Sequence, residues 1–393
     1  MFPLFLIWFF FKNNFIYFFK LIFIIYISFL ILELFFLYYL KNFHKISRID
    51  YYLDQIDEGN NLELWSGYLK DKDNNLFFSN IPNSKILFCN ETGKWVTYKS
   101  DKFGFNNVGD NGVYYDFVML GDSFTEGMCV DRNFNLASNL TNLSKKKYLN
   151  LGMSGTGPIE QIIIYQEYAW NYKYDDIIWL FYEGNDIINF RDKIKLNDLK
   201  KYFDYNFKPN FFIKSKDYEK KKKNILNRYI NKKDDFALAM NSRSSNYLLK
   251  SEDLESILKI ENVLSTLSIF FKNIMFFNNK PYNSDYLLSH EILQNIETEY
   301  VEFLKIVNNI FKNKNIYFVY IPEYDSIGKN TNPLKEKVLN LYQNNIQNIK
   351  IIDLEEDLDN YSRFNIFPNG LPLHFSINGY DIVSKVINEK INQ

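Results

Sequence analysis

Five apolar runs of strand length, with helical stretches between them, constrain this chain more than any other feature. They read FVML (117–120), YLNLG (148–152), DIIWLFY (176–182), NIYFVYIP (315–322) and NIKIIDL (348–354). Continuous apolar runs alternating with helices argue a parallel α/β sheet covered on both faces, because a strand buried on both sides has no polar face to alternate. More than a hundred residues separate the third run from the fourth, far more than a crossover needs, so an insertion of largely helical character is expected at about 190–290. Its first half is lysine-rich and poorly periodic. Ile292, Ile296, Tyr300, Phe303 and Leu304 fall near helical spacing and lead into the fourth strand.

Upstream of the sheet the chain changes character twice. Residues 21–40 read LIFIIYISFLILELFFLYYL, twenty residues with one charge at Glu33, which is the length a helix needs to cross hydrocarbon. No small-residue cleavage site follows, so an uncleaved anchor is expected, preceded by a short segment 1–20 that is too short to span. Glu33 lies about two turns before Leu40 and costs up to about 3 kcal/mol there unless it is protonated or paired. Lys12 and Lys20 precede the span while Lys41, Lys45 and Arg48 follow it, so flanking charge leans against export of the domain. Residues 41–110 form a polar juxtamembrane stretch and then short runs such as LFF and KILF, broken by Asn, Pro and Gly, which predict a few strands.

Composition narrows the function classes. With 46 basic and 47 acidic residues the net charge is −1, so no global field attracts nucleic acid. The run Lys220 to Lys223 reads as a solvated helix face and carries no nucleic-acid module. The 38 Phe and 30 Tyr are a bias of the whole chain. Cys89 and Cys129 are the only cysteines, which excludes a disulfide scaffold and a paired-cysteine zinc site but is compatible with one bridge. No ligand cluster implies a metal, and no motif implies a cofactor.

The chemistry-bearing residues gather at the C-terminal ends of the expected strands, where open parallel sheets place their ligand crevice. The first strand runs into Gly121-Asp122-Ser123-Phe124-Thr125-Glu126-Gly127, a tight turn opening a helix. A serine there has unpaired backbone amides around it and a favourable helix dipole, which suits a nucleophile whose attack creates an oxyanion. The competing reading is structural, since Ser123 and Glu126 also fit a capping box. The second strand ends in a glycine loop around Gly155 and the third in Glu183-Gly184-Asn185-Asp186. Of the three histidines, His44 lies beside the apolar span and His290 in the insertion. His374 lies on a loop between the fifth strand and a C-terminal helix with apolar face Tyr380, Val383, Val386 and Ile387, which makes it the expected base for Ser123.

Taken together, GDSFTEG, the Gly155 loop, EGND and Leu371-Pro372-Leu373-His374 resemble the four blocks of the SGNH or GDSL hydrolase family, over about Asp116 to Glu389 apart from the insertion. The resemblance implies a three-layer flavodoxin-like fold across 111–393. It implies Ser123 as nucleophile, His374 as general base, and the Ser123 amide with Gly155 and Asn185 as the oxyanion hole. Two positions depart from the pattern. Glu183 stands where the family has glycine, and Leu371 stands where the family has the acid that orients the histidine. Three arrangements then remain: a Ser-His dyad held by a backbone carbonyl, which ranks first, an acid relocated to Glu323 or Asp325 after the fourth strand, or a dead site. The implied activity is hydrolysis or transfer of an O-acyl ester on a cell-envelope glycan or lipid. The domain would be tethered to the membrane on the extracytoplasmic side. A non-catalytic, anchored binding or assembly protein is the alternative.

Overall fold

A computed structural model describes residues 17, 20, 23–31, 48–67, 69–70, 76–92, 94–108, 114–194, 218–231, 285–328 and 332–393. The chain divides into two units, residues 1–50 with 241–280 and residues 51–240 with 281–393. In the first, residues 23–31 are helical. The rest of the expected span 21–40, the segment 1–16, His44 and most of the insertion lie outside the described residues. Among the described residues no helix is long and apolar enough to cross a membrane.

The second unit begins within α1 (Arg48–Asp57) and continues through the short strands β1 (Glu63–Leu64), β2 (Leu69–Lys70), β3 (Leu76–Phe77), β4 (Lys85–Cys89) and β5 (Val96–Lys99). Then come β6 (Tyr114–Leu120), α2 (Ser123–Glu126), α3 (Leu136–Ser144), β7 (Tyr148–Asn150), α4 (Pro158–Tyr168), β8 (Lys173–Tyr182) and α5 (Asp186–Ile194). From the insertion, α6 (Tyr218–Asn231) and α7 (Asp285–Asn295) are described. The chain finishes with α8 (Glu297–Ile310), β9 (Ile316–Ile321), α9 (Pro333–Asn345), β10 (Ile349–Asp353), α10 (Glu355–Asp359), α11 (Arg363–Ile366) and α12 (Ile377–Asn392).

All five expected strands form one parallel sheet in the order β10-β9-β8-β6-β7. Numbered among themselves this is 2-1-3-4-5, the order of a doubly wound sheet, with its switch point between β6 and β8. The period-two alternation of a strand divides the core into two layers. Val118, Leu120, Ile177, Trp179, Phe181, Phe318 and Tyr320 face α4, α8 and α9. Phe117, Met119, Ile178, Leu180, Val319 and Ile321 face α3 and α12. The C-terminal helix buries the face its spacing predicts, Tyr380, Val383, Val386 and Ile387.

Helix starts follow local chemistry. Asn135 accepts from the Ser138 amide at 2.9 Å to cap α3, and Ser376 accepts from Gly379 at 3.0 Å to cap α12. Pro158 and Pro333 occupy the first turns of α4 and α9, where a missing amide hydrogen costs nothing. The helical spacing read from Ile292 to Leu304 is broken at Ile296 into α7 and α8. Lys220 and Lys221 lie on the solvated face expected of α6, but Lys222 is buried and Lys223 pairs with Glu63 at 2.7 Å.

The strands of residues 63–99 belong to the same unit as the parallel sheet. β4 pairs with β1 in parallel and with β5 in antiparallel, with a register irregularity between Leu87 and Cys89. Phe77, Phe78, Phe88 and Phe105 are completely buried in the layer that covers α4. Tyr168 of α4 packs edge-on against Phe105 and donates to Ser79 Oγ at 3.1 Å.

Candidate active site

Ser123 opens α2 at the C-terminal end of strand β6, beside the switch point, but it does not cap that helix. The cap is Asp122, whose carboxylate accepts from the Phe124 amide at 3.0 Å. The capping-box reading of Ser123 and Glu126 is therefore corrected: Ser123 is the first helical residue, and its side chain is available for other work. α2 lasts one turn because Gly127 adopts the left-handed conformation with φ of 88°. The chain then turns back at Cys129, also left-handed at φ 60°.

His374 Nε2 lies 2.8 Å from Ser123 Oγ. On the other side of the ring, Nδ1 lies 2.5 Å from Glu91 Oε1, and the His374 amide donates to Glu91 Oε2 at 3.3 Å. The acid behind the histidine is thus Glu91, and the expectation of a backbone carbonyl, Glu323 or Asp325 is corrected. The turn after β9 is occupied elsewhere. Glu183 of β8's loop accepts from the Glu323 amide at 2.7 Å, from Asn332 Nδ2 at 2.7 Å and from Ser326 Oγ. The Glu183 carboxylate therefore ties down the segment carrying Glu323 and Asp325. Leu371, three residues before His374, is exposed.

The charge states follow from these contacts. Burial pushes the Glu91 carboxyl up, but the His374 charge and hydrogen bonds outweigh it and hold its pKa below the usual glutamate value. An ionised Glu91 can only accept, so Nδ1 carries the proton, Nε2 presents its lone pair, and the Ser123 hydroxyl donates to it. Burial pushes His374 down, yet Glu91, with Asp122 and Glu126 adding to it, raises its pKa above the ordinary histidine value. Phe124 packs against the imidazole with ring centroids 4.9 Å apart, and against Phe375 at 4.7 Å, so the His374 ring is held by an aromatic face as well as by hydrogen bonds.

The two other loops meet the same strand end. Met153 donates its amide to the Gly121 carbonyl at 3.1 Å, and Thr156 Oγ1 lies 3.5 Å from that carbonyl. Gly152 approaches so closely that a Cβ would lie 2.6 Å from the Thr125 carbonyl carbon. Gly155 is exposed, left-handed at φ 77°, with open space around it. Asn185 Nδ2 donates to Asp122 Oδ2 at 3.3 Å, which leaves its second hydrogen for another acceptor. Asp186 fixes that turn by accepting from the Tyr182 amide at 2.8 Å and Gln161 Nε2 at 3.2 Å, and burial pushes its carboxyl pKa well up.

Glu126, read from sequence only as a capping partner, is a buried junction. One oxygen accepts from Trp65 Nε1 at 3.1 Å and Tyr98 OH at 2.9 Å, both from the lead-in strands. The other accepts from the Ser154 amide at 2.7 Å and Ser154 Oγ at 2.6 Å, next to Gly155. Burial pushes its pKa up. The one group of metal-ligand type among the described residues is Cys89, Glu91 and Cys129, with ligand atoms within 4.8 Å. The two sulfurs are bonded to each other, so they offer no thiolate. His290 lies on α7 against Gln294 at 3.5 Å and takes no part in the site.

No family model matches the chain, and no curated protein matches it.

Proposed function

We propose that this protein is a serine ester hydrolase or O-acyltransferase of SGNH or GDSL type, acting through an acyl-Ser123 intermediate. The observation that carries the reading is the relay Glu91–His374–Ser123, whose donor and acceptor directions follow from the ionised carboxylate. Ser123 Oγ attacks the ester carbonyl carbon while its proton passes to His374 Nε2, and Glu91 stabilises the imidazolium so formed. The carbonyl oxygen, now anionic, would be met by the Ser123 and Gly155 amides and by Asn185 Nδ2. Collapse expels the alcohol, which takes the proton from His374. Water or a second hydroxyl then attacks the acyl-serine, giving its proton to His374, which returns it to Ser123 Oγ as the acyl–Oγ bond breaks and the acid or new ester leaves. No metal or cofactor enters any step.

The substrate class we propose is an acylated glycan or lipid of the cell envelope. The apolar segment 21–40 supports a membrane anchor, and the Cys89–Cys129 bridge supports an oxidising, extracytoplasmic compartment. The rival, an anchored binding protein with a degenerate site, drew its strength from Leu371, and Glu91 supplies the missing carboxylate. A fluorophosphonate probe tests the choice: labelling of the wild type that is abolished in Ser123→Ala is expected. Folded wild-type protein that takes no label would overturn the enzyme reading.

A further inference from the structure

Glu91 stands on the loop that joins β4 to β5. Outside the β4–β5 pairing, its described residues, 90–92 and 94–95, make two hydrogen bonds from His374 and a stack of Trp95 on Tyr51 with centroids 5.1 Å apart, and the Glu91 carboxylate lies within 4.8 Å of the Cys89 and Cys129 sulfurs. The β4–β5 ladder is irregular between Leu87 and Cys89, just before the loop begins. At that weak point Cys89 is buried and bonded to Cys129, with Cα atoms 5.3 Å apart. Cys129 belongs to the turn that ends the nucleophile's helix, six residues after Ser123. The bridge therefore ties the base of the acid's loop directly to the segment carrying the nucleophile.

We propose that the Cys89–Cys129 bridge is the positioning strut of Glu91, which makes the reactivity of Ser123 dependent on the redox state of those two cysteines. The proposal rests on Ser123 being the nucleophile. A dithiol reductant supplies two electrons and two protons: the S–S bond breaks, both cysteines become thiols, and the reductant closes to its own cyclic disulfide. Cys129 is partly exposed, which opens the bridge to the reductant from that side. Once the bond is broken, the loop carrying Glu91 is held by contacts with His374 and Tyr51, and small misplacements of a catalytic group cost about 10²-fold in rate.

The test compares wild type and Glu91→Gln, each oxidised and after dithiothreitol, with near-ultraviolet circular dichroism confirming the fold. Reduction is expected to slow fluorophosphonate labelling of the wild type about 10²-fold. It is also expected to move the acid limb of its pH profile downward and to remove the downfield proton resonance of the His374–Glu91 hydrogen bond. Glu91→Gln, already lacking the acid, is expected to label at the same rate in both states. Equal slowing of both proteins, or an unchanged wild type, overturns the proposal. A second variant keeps the test open if reduction unfolds the chain. Two glycines inserted after Asn90 leave the bridge intact but lengthen its link to Glu91; the same loss is expected, and a wild-type rate overturns the proposal. Absence of labelling in the oxidised wild type overturns the acyl-transfer reading instead, and the strut is then judged on the proton resonance alone.

Discussion

At the scale of single residues, the proposed mechanism makes Glu91 govern the pH at which Ser123 can react. The general base must be neutral, and Glu91 favours the charged imidazole, so the acid limb of kcat/KM is expected above the ordinary histidine value of about 6.5. Glu91→Gln removes the anion while burial continues to disfavour the imidazolium, so the limb moves to lower pH. The same change leaves Nδ1–H facing an amide that can turn either its oxygen or its nitrogen toward the ring, and kcat is expected to fall about 10³–10⁴-fold. A pH profile of p-nitrophenyl ester hydrolysis by both proteins checks direction and size together; an unmoved limb would show that Glu91 does not set the histidine's charge. The pairing of Ser123 with His374 was readable because each stands in a local motif, one at the end of β6 and the other just before α12. Glu91 was not, because it pairs with a residue 283 positions away and nothing in its own neighbourhood distinguishes it from other glutamates. The available signal was indirect: Cys89 and Cys129 are the chain's two cysteines, one beside Glu91 and one beside the nucleophile motif.

At the scale of elements, the parallel strands were legible because a strand buried on both faces must be apolar throughout, as Ile177 to Phe181 of β8 are. The short strands of 63–99 were legible only as strands, since their burial against α4 depends on pairing that leaves no periodic mark. Glu126 illustrates the loss. Its spacing from Ser123 suggested a cap, whereas tertiary structure turns it toward Trp65, Tyr98 and Ser154. Removing its charge alone should be tolerated better than removing its acceptors. Glu126→Gln is expected to cost about 1–3 kcal/mol, because Trp65, Tyr98 and the Ser154 amide compete for one amide oxygen, and Glu126→Ala more. Urea midpoints of the two variants check the order. The Cys89–Cys129 bridge closes a loop with a sequence separation of 40, for which chain entropy gives about 4 kcal/mol. Reduced protein is accordingly expected to melt well below oxidised protein in calorimetry, and equal midpoints would show that the bridge does not restrict the unfolded chain.

At the scale of the whole molecule, the relay joins three distant stretches of sequence: Glu91 from the lead-in, Ser123 from the sheet's first crossover and His374 from the last loop. A site assembled this way exists only when the unit 51–240 with 281–393 is folded as one, so labelling of Ser123 should vanish at the same denaturant concentration as the tertiary signal. The proposed anchor, segment 21–40, makes a separate claim, because its apolar length follows from sequence and the effect proposed for it is on location rather than chemistry. Glu91, Ser123, Asn185 and His374 all lie beyond it. A chain beginning at residue 41 is therefore expected to move from the carbonate-washed membrane pellet to the supernatant while retaining wild-type labelling of Ser123 on a soluble probe. Activity toward a bilayer-embedded ester should fall much further than activity toward a soluble one, since tethering supplies the effective concentration that a free domain lacks. If the shortened chain stays in the washed pellet, residues 21–40 are not what anchors it. If both activities fall together, the segment serves folding of the site rather than delivery of the substrate.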